Sequence, residues 1–272
     1  MLAVLSSLTW GGADFLGGLM SRRRPAYAVV AGSQACGLVA VTVVAVAATA
    51  WTAPTGWVPW ALAAGLTGSA GLLCFYAALG SGVMGVVSAI AALGALVPVG
   101  IGVLLGDRPS TLAVTGIGLA VAGAVAASGP ELSRGAPARP VVLAAVAGLC
   151  FGLALTCIER GAQTSAVMTL TVMRATSVGL FVVAALALRT NGGLSLRDVP
   201  ALAAVGIGDV GANLMFALAS QRGLLSITGV LGSLYPVVTV ILARVVLGER
   251  LLRLQQIGVA AAVGGVVLVA VG

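Results

Sequence analysis

Ten apolar runs follow one another along the chain, at 2–20, 27–50, 57–79, 83–105, 111–129, 140–158, 165–188, 200–220, 224–247 and 254–272. Each is close to the roughly 20 residues that carry a helix across the hydrocarbon core of a bilayer. The junctions are short and hold the turn-forming and charged residues: SRRRP at 21–25, TAPTGW at 52–57, GSG at 80–82, GDRPS at 106–110, GPELSRGAPARP at 129–140, RTNGGLSLRDVP at 189–200 and GERLLR at 248–253. None can hold a folded soluble domain, so the chemistry belongs inside the membrane. The first run has no basic residues before it, only after it, which is the wrong order for a cleavable signal.

The runs also repeat. With Gly106 set on Gly248, LGDR (105–108) falls on LGER (247–250), Gly116 on Gly258, Val121 on Val263 and Gly123 on Gly265. Shifting the register by one puts Phe75 on Phe216 and Trp10-Gly11 on Phe151-Gly152. Five helices followed by five similar ones is a duplication, and an odd number places the second copy upside down in the bilayer. The pattern thus predicts an all-α integral membrane protein of ten transmembrane helices. Residues 1–129 and 140–272 form two inverted five-helix repeats, 130–139 links them, and a central cavity lies between them. Secondary transporters commonly use this plan, with the substrate near the midplane.

Composition narrows the function classes. The chain is 60% hydrophobic and 8% charged, with mean hydropathy +1.16, whereas soluble domains are about a quarter charged. The net charge of +7 comes from 14 arginines against 7 acids, too thinly spread for a nucleic-acid surface. The absence of histidine removes Ser-His and Cys-His catalysis and nearly every zinc site. Cys36, Cys74, Cys150 and Cys157 sit in apolar runs without CxxC spacing, as small packing residues do. Nothing in the pattern asks for a metal or a cofactor.

Charges in mid-segment are the expensive residues, at about 2.5–3.5 kcal/mol each on insertion scales, and they face a bundle interior or a watery cavity. Asp14, Asp209 and Arg174 are the three placed this deep, while Arg244 is near enough to a segment end to snorkel. Helical spacing groups Ser7, Trp10 and Asp14; Thr171, Arg174 and Ser177; and Asp209, Asn213, Phe216 and Ser220. If these stripes converge, they make a cavity with two carboxylates, a guanidinium, an amide and an aromatic wall, to which Tyr76 and Tyr235 could add phenols. Arg174 could hold a substrate carboxylate or phosphate. Asp14 or Asp209 could hold an amine or take up a proton. The alternative is an ion pair between Arg174 and one Asp that joins helices. Gly208 and Gly211 beside Asp209 would let a neighbouring helix approach.

The GIGD stretch at 206–209 also matches the Gly-x-Gly-Asp of intramembrane aspartyl proteases. Those proteases need a Tyr-Asp on the preceding helix and a Pro-Ala-Leu near the end, and neither is present here. A lipid-headgroup or polyprenyl-phosphate flippase is a further alternative.

LGER after an apolar helix containing Pro236, followed by QQIGVAAAVGGVVLV, resembles the second half of an EamA-type transporter, a family of the drug/metabolite transporter superfamily. LTWGGADF (8–15) resembles its first helix and MRATSVGLF (173–181) its helix with a mid-membrane arginine. The resemblance spans Leu2 to Val271. It implies ten helices in two repeats and export or exchange of a small-molecule substrate across the cell membrane without ATP. It names no substrate, because members carry amino acids, sugars, nucleotide sugars and drugs. Two features of the first half depart from the pattern: Asp107 replaces the usual Glu, and Pro98 lies four residues from the register of Pro236. Orientation is contested. The odd junctions hold 9 arginines and the even ones 3, which puts both termini outside, whereas the family arrangement has both inside. Small-residue faces such as Gly116, Ala120 and Gly123 permit packing within the chain or between two copies.

Overall fold

The computed structural model describes residues 2–97, 110–133, 138–189, 192–221, 235–249 and 251–271. It is all-helical over these residues. The elements are α1 (Leu2–Ser21), α2 (Ala26–Ala47), α3 (Val58–Ser81), α4 (Met84–Ala91, extended by a 3-10 turn, Ala92–Ala95) and α5 (Thr111–Ser133). A stretch Arg139–Leu188 follows, broken by extended backbone at Ser165 into α6 (139–164) and α7 (166–188). The last three are α8 (Val199–Ser220), α9 (Tyr235–Leu247) and α10 (Arg253–Val271). Each apolar run therefore carries helix. Among the described residues, four stretches are long and apolar enough to cross a bilayer: Ala26–Ala47, Thr55–Ser81, Arg139–Ala187 and Leu196–Ala219.

Local chemistry sets the helix ends. The Ser165 hydroxyl accepts from the Met168 N–H at 3.3 Å, capping α7 where the chain breaks. Ser110 does the same for Ala113 at the start of α5 (3.1 Å). Ser195 and Asp198 form a capping box ahead of α8. α9 ends at Gly248, whose φ of 65° suits a residue without Cβ, and the next N–H returns to the Ala243 carbonyl at 3.3 Å. The sixth run ends at 158 in the hydropathy pattern, whereas α6 continues as helix through Glu159 and Arg160 up to the break at Ser165. Pro98, Asp107 and residues 222–234 lie outside the described residues.

The bundle buries an apolar core together with its deep polar side chains and turns apolar side chains outward as well. Val39, Val43 and Val46 share one face of α2 and are 67%, 64% and 57% exposed, while Ser33 and Gln34 on the same helix are buried. In water such a surface would aggregate; against lipid tails it is the solvated side.

Close contacts between helices recur at fixed offsets. Gly11 of α1 lies against the Tyr235 carbonyl and Val238 of α9, and Gly152 of α6 lies against the Gly94 carbonyl and Val97 after α4. These six positions form three pairs that each differ by 141 residues (152 minus 11, 235 minus 94, 238 minus 97). The Trp10–Phe216 ring pair, with centroids 5.6 Å apart, has its counterpart at the same offset in Phe151–Phe75 at 5.4 Å. Gly65 lies against the Met173 carbonyl much as Gly206 lies against that of Ser33, the glycines differing by 141 residues and their partners by 140. α5 and α10 contact each other reciprocally: Gly123 meets the backbone at Gly258 and Ala262, and Gly265 meets that at Gly116 and Ala120, with every position offset by 142.

The junctions meet as well. Gly80 touches the Ser21 carbonyl and Gly82 touches Pro140. Arg22 pairs with Glu249 at 2.6 Å, and Arg24 pairs with Asp198 at 2.9 Å while donating to the Gly193 carbonyl at 2.6 Å. The other Glu249 oxygen accepts from the Met84 N–H at 3.2 Å, at the start of α4. All five odd junctions are thereby linked.

Candidate functional site

The deep charges do come together. α7 brings in Arg174, which is 1% exposed and among the largest side chains buried in the bundle. Its Nη2 lies 2.8 Å from Oδ2 of Asp209 on α8. Nη1 donates to Gln34 Oε1 on α2 at 2.6 Å. The other Asp209 oxygen accepts from Trp10 Nε1 on α1 (3.1 Å) and from Asn213 Nδ2 one turn along α8 (2.9 Å). Asn213 can reach back because residues four apart stack on one helix face; the same amide also bonds the Asp209 carbonyl at 2.8 Å. Phe216, three residues further on, stacks on the Trp10 ring. Asp209 is therefore a hub for three helices, with both carboxylate oxygens engaged.

Asp14 differs. It lies one turn along α1 from Trp10 and is 9% exposed, yet its carboxylate has no hydrogen-bond or ion-pair partner among the described residues. It lies within electrostatic reach of Asp209, Tyr76 and Tyr235. Tyr76 of α3 lays its phenol end over Gly17, the next position on the Asp14 face, where a Cβ would overlap the ring. Arg174 neutralises one of the two carboxylates, so the cluster holds one acid more than its bases.

The predicted stripes hold in part. Trp10 and Asp14 keep to one face of α1, and Asp209, Asn213 and Phe216 to one face of α8. The third stripe divides. Ser177 turns to α3, where the Ser69 hydroxyl donates to it at 2.8 Å, and Thr171 bonds back to the Val167 carbonyl on its own helix (2.8 Å). The Ser220 side chain lies outside the described residues. The close approach beside Asp209 is made by other glycines than expected. A Cβ on Gly208 would make only ordinary contact with Ala13, and one on Gly211 would meet nothing within 4 Å. Gly206 against the Ser33 carbonyl, and Gly37, where a Cβ would lie 3.0 Å from the Gly206 carbonyl, carry it instead. Gln34 is the site residue that sequence reasoning passed over. Its signal was available: it is a lone amide inside an apolar run, 140 residues before Arg174.

The four cysteines are free and half-buried, and no group of metal-ligating side chains occurs among the described residues.

The fold and the buried charges define an integral membrane protein with a cluster of charged and polar side chains buried between its helices. The chain superposes on a solved crystal structure with a TM-score of 0.70 at 20% identity, over 98% of this chain and 94% of that one, so the two share a fold. Residues 138–271 match the model of the EamA-like transporter family. No curated protein matches the chain.

Proposed function

We propose that the protein is a secondary transporter of the cell membrane, working by alternating access between two inverted five-helix repeats (1–129 and 140–272, joined by 130–139). It moves a small solute with a cationic group and an apolar or aromatic body, in exchange for protons. The contacts that recur at offsets of 141 and 142 support the two-repeat plan, because a duplicated unit preserves its packing along with its sequence.

One observation carries the substrate class: Asp209 has both oxygens committed, and Asp14 has no partner among the described residues. An intramembrane carboxylate is expensive to keep. Left without a fixed partner, it serves one that comes and goes, an amine or a proton. Arg174, held by Asp209 and Gln34, shapes the site and orients Asp209, with Trp10, Tyr76 and Tyr235 as walls. The same geometry speaks against the protease alternative: a catalytic dyad needs two carboxylates free to trade a proton with substrate, and Asp209 is held by two hydrogen-bond donors and an ion pair.

The test is a thermal-stabilisation screen of the purified protein with small amines, carboxylates, phosphates and polyprenyl phosphate. Monocationic solutes should raise the unfolding transition of the wild type but not of Asp14→Asn. Stabilisation by anions instead would move recognition to Arg174 and overturn the cation reading. Stabilisation by polyprenyl phosphate alone would favour the flippase.

A further inference from the structure

A second site lies apart from the buried charge cluster. α9, α10 and the start of α4 enclose a groove of about 770 Å³ on the outside of the bundle. One wall is a single stripe of α9: Val237, Val240, Ile241 and Arg244. The facing wall is a stripe of α10: Gln256, Val259, Ala260 and Val263. Gly85 forms the floor, where a side chain would press on Val240 at 3.1 Å.

The charges in the groove are unequal in freedom. Glu249 is committed to Arg22 and to the Met84 N–H. Gln256 donates to the Leu251 carbonyl at 3.0 Å. Arg244 is exposed and makes no ion pair or hydrogen bond among the described residues. It sits three residues before the end of α9, less than one helical turn from the arginine-bearing junctions. That is the depth at which a guanidinium snorkels to lipid phosphates. Around it the surface is lipid-facing: Ile241, Val245 and Ile257 are 55%, 75% and 65% exposed.

We infer that this groove is a binding site for one anionic phospholipid. Its phosphate bridges the fork of Arg244 and its acyl chain lies between the valine stripes of α9 and α10. A guanidinium matches a phosphate through paired N–H donors, and basic pockets between membrane helices hold anionic headgroups in this way. The apolar walls favour a lipid over a free phosphate, which would leave them uncovered.

The experiment is native mass spectrometry of delipidated protein in an uncharged detergent, offered phosphatidylglycerol and phosphatidylcholine in equal amounts. Wild type should retain phosphatidylglycerol about fivefold better, the effect of one basic residue at a membrane surface. Arg244→Gln should erase the preference, Arg244→Lys should keep part of it, and Arg197→Gln, on another junction, should leave it intact. Ala260→Phe fills the groove from its exposed wall and should lower phosphatidylglycerol retention, so it carries the test if Arg244→Gln does not fold. An unchanged preference in Arg244→Gln, equal retention of the two lipids by wild type, or displacement by inorganic phosphate would overturn the inference.

Discussion

Arg174 and Asp209 are each held by more than the other. Gln34 takes one guanidinium nitrogen, and Trp10 and Asn213 take the second carboxylate oxygen. Removing one member of a buried pair strands the other charge, at about 3–5 kcal/mol. Arg174→Ala should therefore lower the thermal transition sharply, and the double variant Arg174→Ala/Asp209→Ala should recover part of the loss. A double variant no more stable than Arg174→Ala would mean that the pair does not depend on charge matching. Trp10→Phe removes one donor and keeps the ring. It should cost less, on the order of the 0.6 kcal/mol measured for polar contacts between membrane helices. The three deep charges and their spacing were legible in the sequence because a charge in an apolar run is conspicuous. Which carboxylate was committed was not, because that depends on neighbours more than a hundred residues away, Trp10 and Gln34 above all.

At the scale of elements, glycine decides how near two helices approach, and the position within the helix decides which glycine matters. Gly206 abuts the Ser33 carbonyl, so Gly206→Ala forces α2 and α8 apart and should cost about 1–3 kcal/mol, as overpacking does. Gly211 faces open space, so Gly211→Ala should be neutral or stabilise by up to about 1 kcal/mol through helix propensity. Melting curves of the two variants side by side check this; equal effects would contradict the packing assigned to α8. The sequence singled out Gly208 and Gly211 because they flank Asp209, but adjacency along a helix is not a shared face. Helix existence was legible throughout from apolar run length. The continuation of α6 through Glu159 was not, because two charges resemble a junction even where the backbone stays helical.

For the whole molecule, the proposed repeat rests in the sequence on matched motifs, LGDR with LGER and Trp10-Gly11 with Phe151-Gly152. The recurring contacts add a contrast that matched letters alone do not explain. At the offset of 141, Asp14 corresponds to Leu155, Asp209 to Gly68 and Asn213 to Leu72. The aromatic pair recurs at two equivalent contacts, whereas the carboxylates, Asp14 from the first stretch and Asp209 from the second, gather beside only one of them, the Trp10–Phe216 pair. The polar chemistry is therefore one-sided on a framework with two similar halves, and Asp14 is its uncommitted member. That places the central claim on a single carboxylate. The direct measurement is flux in proteoliposomes, using an amine that stabilises the protein and an imposed pH gradient. The account predicts gradient-driven amine transport by wild type and its loss in Asp14→Asn, with the unfolding transition of the variant close to that of wild type. Undiminished gradient-driven flux in folded Asp14→Asn would contradict it.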